Sequence, residues 1–148
     1  MGVLIENKKI FEYQVLKKIK AGIVLTGQEV KSIKNGRLSL AGSFVAIKGG
    51  EVFLIGATIP PYQPKNAPKD YNPQRPRKLL LRKEEIKHLI GQIQQKGLTM
   101  MPLRVYTENN NLKLEFGVVK KKKKIDKREE IKKREIKREI QERLKSKL

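Results

Sequence analysis

The sequence predicts a mainly β fold: a small antiparallel barrel flanked by short helices, with a basic helical tail at its C-terminal end. Three observations point to this class. Short β-branched segments alternate with turn residues, two helical segments interrupt them without a βαβ rhythm, and a highly charged stretch occupies residues 120–148. We therefore expect a barrel domain over residues 1–119 and a separate tail over residues 120–148.

The N-terminal part of the barrel begins with residues 11–25, where aromatic and β-branched side chains alternate loosely with polar ones. This pattern predicts one bent strand, or two short strands around Ala21-Gly22. Residues 26–29 (TGQE) have the spacing of a capping box, in which the Thr hydroxyl and the Glu carboxylate each bond the other's backbone amide. A short helix should follow and end at Asn35-Gly36, since both residues tolerate a left-handed backbone.

The middle of the chain predicts a hairpin and then a long loop. Residues 43–47 and 52–59 are apolar and β-branched, and Gly49-Gly50 between them is a hairpin signal. Residues 60–77 contain six of the seven prolines and four basic residues. Such a segment cannot form a central strand or a helix interior, and loops of this length are usually functional.

The remainder of the barrel repeats the order of strand, helix and hairpin. A short apolar run at residues 79–81 leads into a helix predicted over residues 83–95, with apolar side chains along one face. Residues 100–106 and 112–119 then form a second hairpin around the asparagines at positions 109–111.

The tail is the most strongly cationic part of the sequence. Its 29 residues hold 15 Lys and Arg against 6 Asp and Glu, which is +9 of the chain's net charge of +20. Glu–Lys and Glu–Arg pairs at i,i+4 support a helix, but a single helix of this kind is marginal in water. We expect the tail to be disordered when free and to become helical on an anionic surface, and RNA is the polyanion that the charge favours.

Several function classes lack support in the sequence. It has no cysteine, which excludes disulfides and thiolate metal sites and fits a reducing, cytoplasmic location. It has no apolar run long enough to span a membrane, and the apolar stretch at residues 1–10 is shorter than a signal peptide would need, so we expect neither feature. Phosphate-binding motifs are absent, and the single histidine, His88, with Glu84 one turn away, is too small a set for a metal site. We predict no enzymatic activity, no metal and no cofactor.

Base recognition also has little support in the sequence. Residues 42–47 (GSFVAI) weakly resemble a strand of an RNA-recognition motif but lack its pair of aromatic residues, and aromatic residues make up 5% of the chain. The sequence therefore predicts that RNA is recognised through its phosphates and its shape.

Three blocks of sequence resemble the small protein B (SmpB) family, the SsrA-binding proteins. The blocks are residues 21–32 (AGIVLTGQEVKS), 75–81 (RPRKLLL) and 126–129 (DKRE), and residues 7–9 and 96–99 fit the same pattern. The resemblance implies an oligonucleotide-binding (OB) barrel that binds the tRNA-like domain of transfer-messenger RNA (tmRNA) and delivers it to stalled ribosomes for trans-translation. It also implies that the tail enters the decoding centre and the vacant mRNA channel of the small subunit, where it folds as a helix.

The resemblance assigns two sets of residues by position. Residues that form or support the RNA-binding surface would be Asn7, Gly22, Glu29, Lys31, Ser32, Arg77, Lys78 and Leu81. Residues of the tail that engage the ribosome would be Asp126, Lys127, Arg128, Lys132, Arg134 and Arg138. Glu29 has an alternative role as a helix cap, and Leu81 as a residue of the barrel core. The chain departs from the family pattern at Lys20, where the family usually has an acidic residue, and at Ile125, where it usually has an aromatic residue or histidine.

Three other functions are open at this point. A ribosomal protein or assembly factor would explain the charge but not the set of motifs. An RNA-modifying enzyme would need a catalytic cluster, and an amphipathic membrane-surface tail would be expected to carry Trp or Phe. An RNA-binding adaptor that delivers tmRNA to stalled ribosomes explains both the charge and the set of motifs. We expect its partners to be tmRNA and the small ribosomal subunit. We expect no membrane association and a monomeric protein.

Overall fold

The structure is a computed structural model that describes residues 2–95, 97–122 and 132–141. Its strands are β1 (Gly2–Glu6), β2 (Tyr13–Ile23), β3 (Phe44–Lys48), β4 (Glu51–Ile55), β5 (Arg77–Leu80), β6 (Leu98–Glu108) and β7 (Asn111–Lys121). Its helices are α1 (Gly27–Lys34), α2 (Lys83–Ile93) and α3, which covers residues 132–141. Short 3-10 helices lie at Lys8–Glu12 and Pro64–Asn66.

The strands close into an antiparallel barrel. Neighbouring strands follow the order β6-β3-β4-β5-β2-β7, and β7 pairs again with β6 to complete the ring, while β1 pairs with β6 alone. Alternate residues of each strand point inward, and the core contains Val45, Val52, Leu54, Leu79 and Phe116. The ring is closed most weakly where β2 meets β5, which pair only at Gly22 and Ile23, and where β3 meets β6, which pair at Val45. The predicted barrel architecture is confirmed.

Local turn and capping chemistry forms where the sequence predicts it. The Thr26 hydroxyl accepts from the Glu29 amide at 3.3 Å, and the Glu29 carboxylate accepts from the Thr26 amide at 2.9 Å. The β3–β4 turn has positive φ at Gly49 and Gly50, as a tight hairpin turn requires. Asn109 and Asn110 have φ of 52° and 65° in the β6–β7 turn, a region that asparagine tolerates better than most residues.

Strand β2 forms as one strand, the first of the two predicted alternatives. Its register shifts between Val15 and Lys17, not at Ala21-Gly22. Gly22 lies between two neighbouring strands, opposite Lys113 of β7 on one side and Leu80 of β5 on the other. The pairing of β2 with β7 ends at this residue, and its pairing with β5 begins here. The glycine permits a close approach here, since a Cβ at this position would lie 3.3 Å from the Leu80 Cβ.

Several strand limits also differ from the sequence expectation. Strand β1 was not predicted, because its three apolar residues are too few for a clear pattern. Strand β7 continues to Lys121, because Lys120 and Lys121 lie opposite Gln14 and Tyr13 of β2. The first two residues of the predicted tail therefore complete a strand of the barrel. Among the described residues, no helix is long and apolar enough to cross a membrane.

Candidate nucleic-acid interface

A buried carboxylate lies beneath the surface of α1. The capping box turns Glu29 inward, so that its side chain is 1% exposed. Its Oε1 accepts a hydrogen bond from Arg75 Nη2 at 2.7 Å, and its Oε2 accepts one from Arg77 Nε at 2.7 Å. Arg77 is fully buried, whereas the Arg75 side chain is 39% exposed. Glu29 thus forms the helix cap, which was its alternative role in the sequence analysis, and it also accepts from an arginine pair that the sequence did not predict.

Arg77 connects α1 to the proline-rich loop, residues 60–76. Its Nη1 donates to the Ala57 carbonyl and its Nη2 to the Pro73 carbonyl, both at 2.9 Å. The Ser32 hydroxyl of α1 donates to the Pro60 carbonyl at 2.7 Å, and the Tyr71 hydroxyl donates to the Ile59 carbonyl at 2.8 Å. These bonds hold a loop with little regular structure of its own in one position against the helix.

The hydrogen bonds and charges around Glu29 favour its ionised form. Burial alone would raise the pKa of this carboxyl, but hydrogen bonds from Arg75, the Thr26 amide and Arg77 outweigh burial, and the net pKa lies below its ordinary value. Burial and the nearby Glu29 charge raise the pKa of Tyr71. Its hydroxyl therefore stays protonated and can donate its hydrogen bond to the Ile59 carbonyl.

Folding should consequently become less favourable in acid. Because the pKa of Glu29 is lower in the folded chain than in the unfolded one, the unfolded chain takes up the proton first as pH falls. The contribution of Glu29 is complete well above its unfolded pKa and is lost progressively below about pH 5. Denaturant unfolding between pH 7 and pH 3 measures this loss, and the free energy of unfolding of Glu29→Gln should depend less on pH. An identical pH dependence in both proteins would contradict the assignment.

Exposed cations cover the outside of this framework. We call this the α1–loop surface: Lys31 and Lys34 on α1, with Lys65, Lys69 and Arg75 on the proline-rich loop. Lys31 Nζ lies 5.8 Å from the centre of the Tyr62 ring, a cation–π contact that joins helix and loop. Gln28 Nε2 also donates to the Asn66 carbonyl at 3.2 Å. The surface presents several cations, of which Lys31 is held by this cation–π contact and Arg75 by its salt bridge to Glu29, and such a cluster suits binding to a polyanion.

The predicted RNA-binding residues fall into four groups, of which the last is Asn7 alone. Glu29, Lys31, Ser32 and Arg77 come together, but Lys31 alone of these four is exposed, and the other three are buried beneath the surface. Gly22 lies on a groove that also includes Lys34, Leu80 and Lys113. Lys78 and Leu81 lie at β5 and just after it: Lys78 is partly exposed and pairs with Glu51 at 3.1 Å, while Leu81 packs partly against the core.

Asn7 lies apart from the α1–loop residues. Its side chain is 5% exposed, and its Nδ2 donates to the Pro102 carbonyl at 2.8 Å. Its Oδ1 accepts from the Lys9 amide at 3.2 Å and so caps the first 3-10 helix. The structure gives Asn7 a role in joining that helix to β6.

The tail residues are described in part. Asp126, Lys127 and Arg128 lie outside the described residues. Lys132, Arg134 and Arg138 lie on α3, which is exposed along its whole length. The Arg134 guanidinium carbon is 5.1 Å from the centre of the Phe11 ring.

The remaining candidates are His88 and Glu84 on α2 and Lys20 on β2. His88 and Glu84 are exposed on α2, and within the described part of the chain no group of three or more potential ligands could hold a metal ion. Lys20 is exposed on β2, lies opposite Glu115 and stands 5.9 Å from the Tyr106 ring centre. Sequence reasoning missed the roles of Tyr62 and Arg75 because neither contact can be read from local sequence, although Arg75 belongs to the second motif block.

Comparisons with known proteins agree with each other. The family model described as "SmpB protein" matches residues 4–146. The SsrA-binding protein of Acetivibrio thermocellus is 50% identical over 144 residues, which cover 97% of this chain and 93% of that protein. The SsrA-binding protein of Thermosipho melanesiensis is 47% identical, with 98% and 99% of the two chains covered. A solved structure described as "tmRNA-SmpB: a journey to the center of the bacterial ribosome" is 37% identical with a TM-score of 0.68, covering 88% of this chain and 95% of the other.

Proposed function

The chain belongs to the SmpB protein family, and we propose from that premise that it is a non-enzymatic RNA-binding adaptor. It binds the tRNA-like domain of tmRNA and delivers the RNA to stalled ribosomes for trans-translation. The observation that carries this proposal is the α1–loop surface, where exposed cations lie on a framework fixed by the buried Glu29–Arg77 pair.

The chemistry of that surface suits a structured RNA. Lysine and arginine neutralise phosphates wherever the backbone passes, and a rigid array of them selects a backbone of matching shape. The names of the relatives identify the RNA: they are SsrA-binding proteins, and the similar solved structure is of tmRNA with SmpB on the bacterial ribosome.

The barrel and the tail divide the work. The barrel holds tmRNA, and the tail, with +9 of the net charge, extends into the decoding centre and the vacant mRNA channel, where rRNA phosphates neutralise it. Lys132, Arg134 and Arg138 lie along that path in this proposal, and Asp126, Lys127 and Arg128 begin it. We place this delivery of tmRNA to the ribosome in the cytoplasm.

Neutralising two cations of the α1–loop surface should weaken tmRNA binding and reduce its dependence on salt. In Lys31→Gln/Lys34→Gln, each lost phosphate contact should lower the slope of log K against log salt by about 0.7 to 0.9. Filter binding or fluorescence anisotropy at several salt concentrations measures affinity and slope together. The matched control is Lys17→Gln/Lys87→Gln, which removes the same charge from exposed positions on β2 and α2. Equal losses in both variants would mean that net charge, and not this surface, determines binding.

A further inference from the structure

Two phenylalanines share the outer face of the β3–β4 hairpin. Phe44 lies opposite Ile55, and Ala46 lies opposite Phe53. Because directly opposed residues of an antiparallel pair point to the same side, both rings lie on one face and are diagonal neighbours, within reach of each other. The intervening residues Val45, Val52 and Leu54 point the other way into the core. The hairpin thus supplies the aromatic pair that residues 42–47 lack by themselves.

Strand β5 extends this face with a cation and an apolar residue. Lys78 lies opposite Phe53, and Leu80, two residues on, points to the same side. Phe44 is 45% exposed and Leu80 is 54% exposed. Lys48 ends β3 on the same face and is exposed, while Glu51 lies opposite it and pairs with Lys78. The three charged side chains give the face a net charge of +1.

We propose that this face, which we call the Phe44–Phe53 face, binds unpaired nucleotides of the RNA partner. Bases stack on Phe44 and Phe53, and Lys48 and Lys78 contact the adjoining phosphates. The inference rests on the proposed function for the identity of the RNA and adds a mode of recognition, base stacking, to the phosphate contacts of the α1–loop surface.

The composition of the face favours RNA over a protein partner. Exposed apolar patches mark interaction sites, and a patch for a protein would be expected to have an uncharged centre. Here Lys78 is the cross-strand neighbour of Phe53, and its ammonium pairs with Glu51, so charged groups adjoin the rings, as on surfaces that bind single-stranded nucleic acid. Residues 1–119 carry +11 of the total charge of +20, which repels basic ribosomal proteins and attracts phosphates.

The test removes the rings and keeps their apolar character. Phe44→Leu/Phe53→Leu should weaken binding of a tmRNA transcript at least about fivefold, because stacking contributes about 1–3 kcal/mol per base. The slope of log K against log salt should not change, since no phosphate contact is lost. Phe44→Tyr/Phe53→Tyr should restore affinity. Leu16→Ala, which truncates an exposed apolar residue on β2, is the matched control and should bind like the wild type. Thermal unfolding of each variant checks the fold.

The possible outcomes separate this inference from the proposed function. Unchanged tmRNA affinity in the leucine variant, with weakened binding in Lys31→Gln/Lys34→Gln, overturns the stacking face and leaves the adaptor intact. Normal RNA binding but lost attachment to purified ribosomes would assign the face to a ribosomal protein and also overturn the inference. A wild-type protein that does not prefer tmRNA over tRNA or rRNA fragments would overturn the proposed function. A fivefold loss restored by tyrosine supports stacking.

Discussion

Truncation after Lys122 is expected to reduce the tagging of peptides on stalled ribosomes to background while lowering tmRNA affinity by less than about tenfold, or 1.4 kcal/mol. The barrel should remain intact because β7 ends at Lys121 and the Lys122 amide still donates to the Glu12 carbonyl at 3.1 Å. The truncated chain lacks the cations that we assign to the mRNA channel. A reconstituted translation reaction on an mRNA without a stop codon measures tagging, and gel-shift titration measures affinity.

A control for this truncation is a tail of the same composition in scrambled order. It keeps the charge of the tail but removes the order DKRE and the helical spacing of its isoleucines. We expect it to bind tmRNA normally and to tag poorly. Full tagging by the scrambled tail would reduce the role of the tail to bulk charge. Loss of nearly all tmRNA affinity on truncation would contradict the division of work between barrel and tail.

Replacing Arg77 by methionine is expected to lower the free energy of unfolding by about 3–5 kcal/mol, because the buried Glu29 would lose its only fully buried ionic partner and keep the partly exposed Arg75. This is a large part of the roughly 5–15 kcal/mol that stabilises a typical domain. The Ala57 carbonyl would also lose its Arg77 donor and the Pro73 carbonyl would keep only the Ile59 amide, so the proline-rich loop would be held less firmly. Urea unfolding followed by circular dichroism measures the stability.

The matched control for Arg77→Met is the exposed pair of Lys78 and Glu51, whose side chains are 44% and 51% exposed. Glu51→Gln should change stability by less than about 1 kcal/mol. At a temperature where Arg77→Met is still folded, its tmRNA affinity should fall although no exposed cation was removed, because the loop carries Lys65, Lys69 and Arg75. Normal affinity in that folded variant would mean that the buried pair does not organise the RNA-binding surface.

Short-range chemistry made much of the fold predictable. The capping box at Thr26, the glycine pair at the first hairpin turn and the asparagines at the second each determine a local backbone shape within four residues. Apolar alternation then identified most strands, and helical spacing of apolar residues identified α2. The position of the β2 register shift was not predictable, because Ala21-Gly22 was the interruption visible in the sequence, whereas pairing with β7 places the shift between Val15 and Lys17.

The candidate site was less accessible from sequence alone. Glu29 and Arg77 are 48 positions apart, and their contact exists only because α1 and β5 meet at one side of the barrel. Motif resemblance selected both residues but could not tell a supporting role from direct contact with RNA, since that difference is one of burial. The pairing of Phe44 with Phe53 likewise depends on hairpin register, which sequence indicates only approximately.

The most direct test of the adaptor function is to purify the protein from its own host with bound RNA and to sequence that RNA. The account predicts strong enrichment of one tRNA-like transcript, tmRNA, with enrichment retained when residues 123–148 are removed. A uniform background of rRNA fragments, with no enrichment of tmRNA, would contradict it and would favour a structural component of the ribosome.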